Sequence, residues 1–226
     1  MSATPPSNMS SRLSALTQRL GLSGRSARQV LERAAALQLP FEAPAMPQSS
    51  IWWLSGSRLQ SLPELPRSAL SGPVQDDKAA AHAVLGNLVE AHKQAIDAFD
   101  LRKIDGLAGG KDQPPTCNSF EDYLAGLGQR QVRIISYKDF VRAISMALPN
   151  FLVGERISLL QARWYGERVF WDGEQHVEAF ANAIAYARRR ELEVNLPADL
   201  TTYRISPRGL RQLDDNYHML AMPVQA

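Results

Sequence analysis

Apolar residues recur every three or four positions in two short stretches near the start of the chain. Leu13, Leu16 and Leu20 fall on one side of a helix with 3.6 residues per turn. Gly21 can take the left-handed conformation that closes a helix, and Ser23 can accept a hydrogen bond from the free amides of the next turn. A second helix is therefore predicted from about Gly24, with Ala27, Val30, Leu31, Ala34 and Leu37 as its apolar stripe. Arg25, Arg28, Gln29 and Glu32 lie together on the opposite side, with Arg33 at its edge.

The pattern then breaks. Six prolines between residues 40 and 75 each remove an amide donor and restrict the preceding residue, so an extended, irregular connection is predicted there. The apolar run Ile51, Trp52, Trp53 and Leu54 interrupts it; such a run predicts a connection that lies on the body and buries its rings, with partner binding as the alternative. From Asp76 to about Asp100, acids at the start and Val84, Leu85, Leu88, Ala95, Ile96 and Phe99 at helical spacings predict one long helix, with His92 on or beside its stripe. Ser119 with Asp122, and Ser136 with Asp139, read as two capped helix starts; Gly128 and Pro149 end those helices. A strand is predicted at Gln131 to Ile135. Arg156 to Trp164 and Arg168 to Trp171 predict a hairpin turning at Tyr165-Gly166. A helix over Glu174 to Arg190, strands at Glu191 to Leu196 and Thr201 to Ile205, a helix capped by Ser206 with Pro207 in its first position, and a strand over Tyr217 to Met222 complete the reading. The sum is an α+β protein in three parts: an N-terminal helical pair (1–39), a proline-rich connection (40–75), and a body (76–226) with a mixed or mainly antiparallel sheet of about five or six short strands packed with helices.

The Leu-Gly-Leu-Ser turn between two helices, with arginines on the second, resembles the helix-turn-helix of bacterial DNA-binding proteins over residues 13–38. In that resemblance the second helix is the recognition helix. It implies that Arg25 and Arg28 meet guanine edges or phosphates, that Gln29 meets an adenine edge, and that Arg33 adds to the contact. No third helix and no wing of strands accompanies the pair. An amphipathic hairpin packed on the rest of the protein is the alternative.

Composition adds modest support. The chain has 226 residues, 45% of them hydrophobic and 21% charged, as expected of a folded domain with one substantial core. The net charge of +2 is unevenly spread: residues 1–70 carry seven arginines against three glutamates, whereas residues 71–150 and 151–226 each carry nine basic against ten acidic side chains. The positive excess thus lies with the helix pair. No apolar run is long enough to cross a bilayer and no secretory pattern opens the chain, so a cytoplasmic protein with no membrane partner is expected. One cysteine excludes an internal disulfide, and four scattered histidines show no metal-ligand spacing; no metal and no cofactor are expected.

Three functional readings follow. The first is a non-enzymatic binding or regulatory protein that contacts DNA through Arg25, Arg28, Gln29 and Arg33. The second is a protein-interaction module or inhibitor that acts through the body, with Trp52, Trp53, Trp164, Trp171 and the Arg188-Arg189-Arg190 cluster as candidate contacts. The third is a hydrolase in which Cys117, just before a predicted helix whose N-terminal field would favour a thiolate, is paired with His218 as base, or less readily with His176. That order of a cysteine helix and a histidine strand is shared with papain-like and transglutaminase-like hydrolases, but the residues around Cys117 match neither. The sequence leans away from catalysis and leaves the oligomeric state open.

Overall fold

In a computed structural model the described residues are 29, 32, 33, 50–64, 75–109, 117–128 and 133–217. The chain divides into two compact units, Met1–Met46 and Pro47–Ala226. Of the first, Gln29, Glu32 and Arg33 are described, and all three are helical and exposed.

The second unit is α+β. Its described helices are α1 (Gln75–Gly86), α2 (Phe120–Leu127), α3 (Tyr137–Ala147), α4 (Val177–Arg189) and α5 (Pro207–Asn216). Its strands are β1 (Val89–Asp100), β2 (Gly106–Leu107), β3 (Ile157–Ala162), β4 (Val169–Trp171) and β5 (Asn195–Ile205), in the order β1-β5-β3-β4-β2. The β1/β5 and β3/β4 pairs are antiparallel, and β3/β5 and β2/β4 are parallel.

Because side chains alternate across a strand, the register sorts the sheet into two faces. Gln94, Leu200, Leu159, Trp171 and Leu107 stand in one row across all five strands, and Lys93, Thr201, Leu160, Phe170 and Gly106 form the next row on the opposite face. The first face meets the helices. There Leu159, Trp171 and Leu107 join Phe120, Phe140, Phe180 and Ile184 in the main core, and Trp171 stacks on Phe180 with ring centroids 3.8 Å apart. The second face is smaller and is closed by the segment before α1: Trp53 packs edge-on against Phe170 and Tyr165.

Several local predictions hold. Ser119 caps α2 by accepting from the Asp122 amide, and Ser136 and Asp139 form a reciprocal capping box on α3. Ser206 caps α5 with Pro207 in its first turn. The β3/β4 hairpin turns through a short 3-10 segment, Arg163–Tyr165, and Gly166 at φ 77° supplies the left-handed residue. Residues 50–64 contain no strand or α-helix beyond two 3-10 turns and an isolated bridge from Trp52 to Leu107, yet Ile51, Trp52 and Trp53 are buried.

Three predictions need correction. The long helix expected over 76–100 stops at Gly86, and its second half is the edge strand β1. The two strands expected at 191–196 and 201–205 are one continuous strand, β5, because Pro197 sits opposite a bulge where Asp97 and Ala98 have no partner of their own. Arg133 to Ile135, the described part of the strand expected at 131–135, are not in a strand. The final strand expected over 217–222 lies outside the described residues except for Tyr217, which is not in one.

Candidate functional site

On the N-terminal helix, Gln29 and Arg33 are four residues apart and Gln29 and Glu32 three apart, spacings that place all three on one side. Each is exposed to solvent. Arg25 and Arg28, the other two members of the predicted DNA-facing set, lie outside the described residues.

The aromatic candidates of the body are engaged internally. Trp52 is 3% exposed and packs edge-on against Tyr123; Trp53 is 5% exposed in the smaller core; Trp171 is 3% exposed under Phe180. These three are therefore unavailable to a partner, because their rings are spent on excluding water from the protein's own cores. Trp164 is partly exposed, and its indole N–H donates to the Ser57 carbonyl at 2.9 Å. The Tyr165 hydroxyl donates to the same oxygen at 2.9 Å, so two rings of the hairpin turn clasp the segment before α1.

The arginine cluster divides in the same way. Arg188 donates to the Arg102 and Ile104 carbonyls at 2.9 and 2.7 Å, lies 3.7 Å from the Asp105 carboxylate, and covers the Phe120 ring. It ties the end of α4 to the turn that leads into β2. Arg189 is exposed, and Arg190, also exposed, has its guanidinium 6.0 Å from the Tyr186 ring centre. Sequence reasoning missed the groups that Arg188 serves. Asp105 accepts from the Val169 amide at 3.0 Å, and Arg168, whose proton affinity burial lowers, reaches the Asp105 carbonyl. Backbone carbonyls leave no trace in a residue pattern, so this clasp had no sequence signal.

Cys117 precedes α2, as predicted, but its surroundings act against a thiolate. Partial burial pushes the thiol upward from its ordinary value, and the Asp122 carboxylate pushes it further the same way. Neighbouring Tyr123 is raised to about 12 by burial, with Glu178 and Cys117 adding to the shift. The Cys117 carbonyl accepts from the Ile51 amide at 2.8 Å, which anchors the buried Ile51-Trp52 pair. His218 lies outside the described residues. His176 is the residue before α4, in a left-handed conformation with φ 49°. At pH 7 Cys117 is expected to react with iodoacetamide more slowly than a free cysteine in an unfolded control, with the rate rising as pH increases past the ordinary thiol range. Mass-spectrometric labelling time courses measure this, and faster labelling than the control would contradict it.

Among the described residues no three histidine, cysteine or acidic side chains are grouped to hold a metal ion, and no helix is long and apolar enough to cross a membrane. Residues 94–226, more than half of the chain, match a family of unknown function, DUF6685. No curated protein and no solved structure matches the chain.

Proposed function

We propose, for a chain that belongs to the DUF6685 family of unknown function, a non-enzymatic binding or regulatory role in the cytoplasm, with DNA contacted through the N-terminal helical residues. The observation that carries this reading is the solvent-facing pair Gln29 and Arg33, one helical turn apart on the side that also holds Arg25 and Arg28 in the sequence. A bidentate amide and a guanidinium on one exposed helix face have the donor geometry that base edges and phosphates accept. The family match begins at residue 94 and lends this end of the chain no support of its own.

The test is a gel shift on duplex DNA at several salt concentrations. Wild type is expected to retard the duplex less as salt rises, and Arg25→Ala with Arg28→Ala is expected to abolish the shift while leaving the thermal unfolding of the body unchanged. Each phosphate contact removed should flatten the logarithmic salt dependence by roughly one unit. A wild-type chain that shifts nothing, or a variant that shifts as wild type does, overturns the reading.

A second reading, a protein-interaction module in the body, draws on a different set of residues from the tryptophans. Ile135, Tyr137, Leu152 and Val153, beside the start of α3 and in the turn after it, are 63%, 59%, 74% and 84% exposed. Large apolar side chains left in water at neighbouring points of the sequence favour a protein contact. Retention of a partner from native extract by a chain lacking residues 1–39, and its loss with Leu152→Ser and Val153→Ser, would support this role.

A further inference from the structure

β1 ends the strand order, and among the described residues nothing pairs with its outer edge. A twelve-residue strand leaves a long row of amides and carbonyls there, a template for another strand. Ala91 to Ala95, Asp97 and Ala98 are all exposed. We propose that this edge pairs antiparallel with the same edge of a second copy of the chain, about a two-fold axis through Ala95. The proposal does not rest on DNA binding.

Charge selects both the partner and the register. Four ionic groups of β1 bear on the choice. Glu90 is held by Arg204 at 2.9 Å and Asp100 by Arg102 at 2.7 Å, so each is compensated within the protomer. Lys93 and Asp97 are exposed and make no ion pair among the described residues. Four positions along one strand, they are roughly 13 Å apart and cannot reach each other. A second copy supplies what each lacks.

In an antiparallel ladder, opposed residues turn their peptide groups either both toward the partner or both away from it, and the direction alternates along each strand, so the regular part of β1 can self-pair only about a residue and not between two. Centring on Ala95 sets Lys93 of each copy opposite Asp97 of the other, and it does so twice. Centring on Lys93 opposes two lysines, centring on Gln94 leaves Lys93 facing Ala95, and centring on Ile96, across the bulge, leaves it facing Asp100, which Arg102 already holds. Alanine at the axis also lets the two backbones approach without side-chain conflict. The bulge contributes as well: Asp97 and Ala98 share one position opposite Pro197, which has no amide hydrogen to give, so β5 does not fully use the peptide groups there.

Sedimentation equilibrium of the full chain tests the pairing. Wild type is expected to be a dimer. Lys93→Asp or Asp97→Lys alone should raise the dissociation constant about tenfold or more, since two attractive cross-strand contacts become repulsive, and the two changes together should restore it. Both positions are exposed, so circular dichroism should show the fold unchanged in all three variants. In a Cys117→Ser background, Ala95→Cys should form an intermolecular disulfide, because directly opposed residues lie within its reach of about 4.5–6 Å between Cα atoms. A wild type that stays monomeric at the highest loading, a dimer indifferent to either single change, a double variant that fails to recover, or an absent disulfide would each overturn the proposal.

Discussion

Replacing Trp171 by alanine is expected to destabilise the protein by about 3–5 kcal/mol, the range for deleting a large aromatic from a packed interior. Trp171 sits in the row that crosses all five strands, between Leu159 and Leu107, which are both fully buried. Its ring stacks on Phe180 of α4 at 3.8 Å. Removing it opens a cavity between the sheet and the helix that packs over it, and the rigid strand backbone cannot close that space. The loss should appear as a lower denaturant midpoint with little change in slope. Trp171→Phe, which keeps most of the stack, should recover more than half of it. A Trp171→Ala variant within about 1 kcal/mol of wild type would contradict this packing.

The second large effect is at Arg188. Arg188→Met keeps the stem and removes the guanidinium, so the Arg102 and Ile104 carbonyls lose charged donors and the Asp105 carboxylate loses its nearest cation. The expected cost is about 2–4 kcal/mol, because stranding partly buried acceptors costs more than an exposed ion pair returns. Arg189→Met, at the adjacent exposed position, should stay within about 0.5 kcal/mol of wild type. Urea titrations of the two variants side by side make the comparison. Equal effects would mean that the clasp contributes nothing beyond a solvated helix end.

These two residues also mark how far the sequence could be read. Helix starts were legible because a cap is a local device: Ser119, Ser136 and Ser206 each bond to an amide three residues on, and that spacing is written in the chain. The β3/β4 hairpin was legible for the same reason, its two flanks being apolar and its turn ending in Gly166. β1 was not. An edge strand exposed along most of its length carries Glu, His, Lys, Gln and Ala, residues that suit a solvated helix equally well, and only pairing with β5, 95 to 116 residues away, decides its conformation. The two strands predicted at 191–196 and 201–205 merge for a related reason, since only the bulge of the partner strand opposite Pro197 lets one strand run through that proline.

At the candidate sites the division is sharper. Trp52, Trp53 and Trp171 have the composition of a recognition patch, and a sequence gives no means of telling a ring that meets a partner from one that meets its own sheet. Arg188 and Arg189 are neighbours in a run of three, yet one is committed to two backbone carbonyls and the other points into water. The third reading depended on the field of a helix end to lower the Cys117 thiol. Burial and the acid in the first turn of that same helix act the other way.

The segment before α1 bears on where a shortened form of this protein could begin. Ile51, Trp52 and Trp53 fill space against Leu107 and Phe170, and the Ser57 carbonyl holds two rings of the hairpin turn. A fragment started at residue 94, where the family match opens, would cut β1 in its middle and strip the cover from one side of the sheet. The smallest autonomous piece therefore reaches back at least to Ser50, well ahead of residue 94.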